Sequence, residues 1–301
     1  MFAYSLALNL WNPSHIVGWT SIIIMSIVLG MVHGITPDEH TWPITFSYAI
    51  GSYSTRKGLR SGLIFSLSFA LQRAIASELA FLGLYKLYEI GWLNYVIYIV
   101  VGILMAASGL FIVKRKSILH FDLPFFKQHH QGDKDTQVWL NDPKPWMPAV
   151  HGFVAGWGFG AFALILYTVL SPATHSLAYA WIPGALFGLG TMLIQMLAGG
   201  FFGYMAQHWG LNEAAIRRIS LKTAGNTLTW GGLAFVLGGG LSLLIPALGS
   251  SGISTGIRVH NLDSIGLPLI LVIFSVLIVG LSTMISETRH AMAKISHDKL
   301  I

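Results

Sequence analysis

Cysteine is absent from this 301-residue chain, and charged residues make up only 10% of it. The first absence excludes disulfides, thiol redox relays, Cys-ligated zinc and iron–sulfur clusters. It also excludes disulfide-shuttling membrane chemistry, which needs a cysteine pair. The second absence excludes a water-soluble globule, which carries roughly 25% charge. Neither a G-x-x-x-x-G-K-[ST] phosphate loop nor an H-E-x-x-H protease motif occurs. What remains is apolar: 54% of residues are AVILMFWYC. The composition is that of an integral membrane protein, with room for about six to eight helical spans of ~20 residues. Histidine is the polar exception, with twelve residues against twelve Asp and Glu. It is a common metal ligand. The net charge of +6 points first to loop topology rather than to nucleic acid.

Apolar stretches fall at 17–35, 61–85, 91–113, 147–170, 181–206, 223–247 and 266–285, with a shorter one at 43–53. Lys and Arg are divided unequally between the loops. One side carries fifteen, in the loops near 57, 130 and 215 and in the C-terminal tail; the other carries only Lys86 and Arg258. The positive-inside rule then puts the C-terminus in the cytoplasm of a multi-pass protein of the cytoplasmic membrane. The alternation holds if residues 17–53 cross once, as a broken helix. The expected architecture is all-α, with about seven transmembrane helices. A first repeat at 17–113 and a second at 147–247 flank a cytoplasmic loop at 114–146, and 266–285 is an extra helix. The two repeats share a Val-His-Gly, at His33-Gly34 and His151-Gly152, and run in opposite directions. Inverted repeats with sites on broken helices are a transporter signature.

His33-Gly34-Ile35-Thr36-Pro37-Asp38-Glu39-His40 is the most informative stretch. Ionisable groups at membrane depth are costly and default to function. A straight helix would place His33 and His40 about 10.5 Å apart along its axis, too far to share an ion held at about 2.0–2.1 Å. Pro37 removes the amide that would bond the His33 carbonyl, so the helix is expected to break there. A break lets His33, Asp38 and His40 converge on one divalent transition-metal ion, for which imidazole with carboxylate is a suitable set. A water-exposed capping turn and a metal-free proton relay are the alternatives.

At this motif the chain resembles the nickel/cobalt transporter superfamily, the NiCoT and NicO groups. The NiCoT signature is His-x4-Asp-His; here Glu39 is inserted between Asp38 and His40. The start His33-Gly34-Ile35-Thr36-Pro37 looks like the NicO start. Gly152 to Phe159 is similar to the Gly-Phe-x-x-Gly-x-Gly-Phe stretch, and Leu186 to Met192 to a later Leu-Phe-x-x-Gly-Met stretch. The departures lie in the second half. Acidic positions of the family read Gly160-Ala161-Phe162-Ala163, Gln195 and Ala198 here, and Gln72-Arg73 stands where NicO members have a histidine. The resemblance implies a secondary transporter of a nickel- or cobalt-like ion. The metal would be substrate rather than bound cofactor, protons a coupling ion, the bilayer the partner, and no reaction would be catalysed. The alternatives are transport of another small solute on the same fold, or a membrane accessory protein for metalloenzyme assembly.

Other polar residues bear on the path. Arg73 lies mid-span and keeps its charge; pairing with Asp38 or Glu39 is one expectation, a structural role the other. Glu39 and His151 are further candidates for the site. Gln195 and Asn226 either line the path or tie helices together. His120, Asp122, His129, His130 and Asp133 in the 114–146 loop read as an ordinary hydrophilic loop, with metal collection as the alternative.

Overall fold

The computed structural model describes residues 18–36, 38–84, 90–114, 139–158, 161–208, 211, 213–256 and 263–298. The chain is a multi-pass, all-α membrane protein. Helices α1 (Gly18–Ile35) and α2 (Trp42–Gly51) are followed by α3 (Thr55–Leu79), extended by a π-helical turn at Ala80–Leu84. Next come α4 (Gly91–Ile112), α5 (Trp146–Ala155) and α6 (Ala161–Ile165), the last continued by a π turn at Leu166–Leu170. Then α7 (Ile182–Gln207), α8 (Glu213–Leu244) and the short α9 (Pro246–Ser250) lead to α10 (Leu267–Val272). A π segment at Ile273–Leu281 joins α10 to α11 (Ser282–Asp298). Two short antiparallel pairs, Val113–Lys114 with Trp139–Leu140 and Gly252–Ser254 with Ser264–Gly266, close loops. The loop residues His120, Asp122, His129, His130 and Asp133 lie outside the described residues.

Among the described residues, six helical stretches are long and apolar enough to cross a membrane. A helix satisfies its own backbone, which lipid requires. The expected span at 147–170 is instead two half-helices, α5 and α6. Large apolar side chains such as Leu71, Trp92, Ile103, Phe201, Leu237 and Leu277 are exposed, while Gln72, Arg73, Gln195 and many hydroxyls are buried. That inversion suits lipid outside and polar contacts within.

Glycines set the helix directions, because each marks where backbones touch. Gly58 lies against Gly199, Gly188 against Ala70 and Gly184 against Arg73, so α3 and α7 run antiparallel. Gly30 lies against Phe187, and Gly34 against Thr191 and Ile194, so α1 and α7 run parallel. In the other half, Gly152 and Gly156 of α5 and its end lie against Phe65 and Gln72, parallel to α3. The glycine of each Val-His-Gly thus packs on a long helix of the opposite half. It follows that α1 and α3 are antiparallel. Helix α2 is ten residues, about 15 Å at 1.5 Å per residue, half the ~30 Å of a bilayer core. The α1–α2 segment therefore makes a single net crossing.

Candidate functional site

The site forms where α1 stops. Pro37, where the break was expected, lies outside the described residues, but its effect is legible on either side. The carbonyl of His33 has no amide four residues on, because proline lacks one. The Thr36 hydroxyl donates to it instead, at 3.0 Å. The next carbonyl, of Gly34, is also released, since the Asp38 amide turns back to Thr36 at 2.7 Å. Gln195 from α7 fills that vacancy by donating Nε2–H to the Gly34 carbonyl at 3.1 Å. One turn earlier the Thr191 hydroxyl donates to the Gly30 carbonyl at 2.9 Å. Gln195 is thus a tie between helices, holding the broken end of α1.

Asp38 begins the next element. Its carbonyl accepts from the Trp42 amide at 3.0 Å, and its Oδ1 accepts from the His40 amide at 3.0 Å, a turn of the kind Asx residues favour. This brings three ionisable groups together. His40 Nδ1 lies 3.2 Å from Glu39 Oε1 and 3.9 Å from Asp38 Oδ1. One ligand atom from each of Asp38, Glu39 and His40 lies within 4.8 Å of the others, and all three residues are buried. His33 is outside this tightest set, though its Nδ1 sits 3.8 Å from the other Asp38 oxygen, Oδ2. The structure therefore brings the expected His33, Asp38 and His40 to one place and moves Glu39 from the margin into its centre.

The walls come from other helices. Tyr98 of α4 donates its hydroxyl to Glu39 Oε1 at 2.8 Å, and its ring lies 5.1 Å from that of His40. The His33 ring sits among Phe69, Phe187 and Phe162, at centroid distances of 5.7, 5.3 and 6.4 Å. Gly158, past the end of α5, faces the His40 imidazole so closely that a Cβ there would lie 2.7 Å from three ring atoms. Tyr98 and Gly158 were not anticipated. A tyrosine in the middle of an otherwise apolar span was the available sign for the first; a glycine among many offered none for the second.

Arg73 is buried, but it does not take the partner expected of it. It donates from one terminal nitrogen to the Tyr167 hydroxyl at 2.7 Å and from the other to the Gly158 carbonyl at 3.2 Å. Its guanidinium stacks over Phe69 and Phe187, at 4.8 and 5.5 Å. Among the described residues no carboxylate forms an ion pair with it. The aromatic faces and a carbonyl dipole take that role. Arg73 and His40 both meet Gly158, the first at its carbonyl and the second at its Cα.

His151 stands apart from the acidic cluster. Its Nδ1 lies 2.9 Å from the Met147 carbonyl and 3.1 Å from the Tyr48 hydroxyl. A carbonyl only accepts, so Nδ1 carries the proton. Asn226 donates to the Thr283 hydroxyl at 3.4 Å and ties α8 to α11. Neither joins the cluster.

Residues 66–228, more than half of the chain, match the family model described as the cytochrome C biogenesis protein transmembrane region. The chain belongs to this family. No curated protein and no solved structure matches it significantly. The resemblance to nickel/cobalt transporters is thereby overturned. It rested on a His-x4-Asp string with an inserted Glu39 and on glycine-rich stretches, which packing alone explains: Gly152, Gly156 and Gly188 are all helix contacts. Membership supports a membrane accessory protein in metalloenzyme assembly over a metal transporter. The matched segment starts after the acidic knot. It includes Arg73, Tyr98, Gly158 and Gln195, but not Asp38, Glu39 or His40.

Proposed function

We propose that this protein is a membrane accessory factor for the assembly of a metalloprotein, a c-type cytochrome being the class its family suggests. In this reading it holds a divalent transition-metal ion, as cargo, at Asp38, Glu39 and His40. The observation that carries the reading is the buried convergence of two carboxylates and an imidazole, each 3–4% exposed, at a helix break. Ligand atoms around a tetrahedral ion at 2.0–2.1 Å stand roughly 3.3 Å apart. The 3.2 Å and 3.9 Å separations at His40 are close to that already. A chain without cysteine has no thiol with which to reduce a partner, so in this reading its contribution is ligand exchange rather than thiol redox.

His33 acts in this reading as a positioning residue on Asp38. Tyr98 orients Glu39, an outer partner of the kind that sharpens metal affinity. The factor catalyses no covalent step and keeps no resident cofactor. Its C-terminus lies in the cytoplasm, as the fifteen-to-two distribution of Lys and Arg favours. Metal entry releases protons from His40 and its neighbours.

The hydrogen-bonded series Tyr98, Glu39, His40 favours a second reading, a proton relay without metal. Cells lacking the protein separate the two. Haem-stained c-type cytochrome is expected to fall without it and to recover with wild type but not with His40→Ala. Extra divalent metal in the medium restores part of the loss under the metal reading and none under the relay.

A further inference from the structure

A second polar feature lies away from the acidic knot, at the basic end of the bundle. A cavity of about 230 Å³ opens between the end of α2, the start of α3 and the segment leading into α5. Lys57, Arg60 and Lys144 line it, with Ser61, Tyr53 and Asp142; Tyr48 lies at its buried side. These three cations are exposed side chains gathered at one cavity, whereas three cations of α8 are held by carboxylates. Arg217 is paired with Asp142 at 3.1 Å, Lys222 with Glu287 at 2.7 Å and Arg218 with Glu287 at 3.6 Å. Among the described residues, no carboxylate pairs with Lys57, Arg60 or Lys144. Asp142, the one acid of the described cavity wall, is already engaged by Arg217, so among the described residues the cavity wall carries excess positive charge.

Tyr53 shapes the rim. It has φ 42°, a left-handed conformation that is uncommon for a residue with a side chain. In that conformation its ring lies 4.6 Å beneath Lys57 Nζ and its hydroxyl reaches Asp142 at 3.5 Å. The strained residue therefore holds one cation over the cavity and helps occupy its acid. The N-terminus of α3, the positive end of a 25-residue helix, begins beside it.

We propose that this cavity binds a phosphate group, presented by an anionic lipid headgroup or as a free phosphate. Basic pockets between membrane helices recognise phosphorylated headgroups through such unpaired cations. At about 230 Å³ the cavity is smaller than the ~300–1,000 Å³ of drug-sized sites, which suits a headgroup.

The test is thermal unfolding of the purified full chain in a neutral detergent. Phosphatidylglycerol is added against phosphatidylcholine in one arm, and inorganic phosphate against chloride at matched ionic strength in the other. A shift of about 5 °C is expected with ligand at a hundredfold excess over Kd. A shift in the lipid arm alone assigns the site to a headgroup, and in the phosphate arm alone to a soluble anion. The combined substitution Lys57→Gln, Arg60→Gln, Lys144→Gln is expected to abolish it, measured from that variant's own baseline. Arg56→Gln, exposed and outside the cavity, leaves it intact. If the triple variant does not fold, the three single substitutions are read instead, each weakening binding relative to Arg56→Gln. The proposal is overturned if wild type shifts in neither arm, if the triple variant keeps the full shift, or if the single variants match Arg56→Gln.

Discussion

Two helices of this protein break inside the bundle, and the two breaks are made of opposite materials. After His33 the chain places Thr36, Asp38, Glu39 and His40, all buried, and the freed carbonyls of His33 and Gly34 find donors in Thr36 and Gln195. After His151 it places Gly156, Trp157 and Gly158, with no ionisable group. The first break gathers ionisable groups; the second supplies space, because Gly158 leaves room for the His40 ring. The two breaks thus meet at one place in the bundle. Irregular backbone at membrane depth is tolerated where protein buries it, and here each break helps to bury the other.

The largest expected effect comes from attacking the polar break. Glu39→Ala strands His40 and Tyr98 in a buried setting, and removing one partner of a buried pair costs about 3–5 kcal/mol. Thermal unfolding in detergent reads this as a pronounced drop in Tm. Filling the glycine break comes next. Gly158→Ala pushes a methyl group into the His40 imidazole, and divalent-metal affinity is expected to fall about 10–100-fold, as for other outer-shell changes. Isothermal titration with zinc or nickel measures it; affinity equal to wild type means that Gly158 is not part of the site. Gln195→Leu releases the Gly34 carbonyl and is expected to cost about 1–2 kcal/mol. The smallest effect is at Asn226→Ala, about 0.5 kcal/mol with metal affinity unchanged, because its 3.4 Å bond to Thr283 lies elsewhere.

The polar break is legible in the sequence itself. Charges are scarce in this chain, and four ionisable residues within eight positions stand out against apolar flanks. Pro37 also announces a stop that helix geometry alone makes necessary. The breadth of the helical fold was legible for the same reason, since long apolar runs in a charge-poor chain have few other outcomes. The rest depended on contacts between distant residues. Nothing local to Arg73 distinguishes an ion pair with Asp38 from a stack on Phe69 and Phe187. Nothing local to Gly158 shows that it faces His40. Glycine strings misled in the family comparison because helix packing produces them in unrelated membrane proteins. His151 was raised by its Val-His-Gly, but the equivalent place in the second half has no acids to join it.

In the proposed function Asp38, Glu39 and His40 bind a divalent transition-metal ion. The direct measurement is equilibrium dialysis of the purified full chain against zinc, nickel or cobalt, with bound metal counted by mass spectrometry. About one ion per chain is expected for wild type and for His151→Ala, and none for His40→Ala, consistent with a single His/carboxylate cluster. Wild type that retains no metal, or His40→Ala that retains as much as wild type, contradicts metal binding at this cluster.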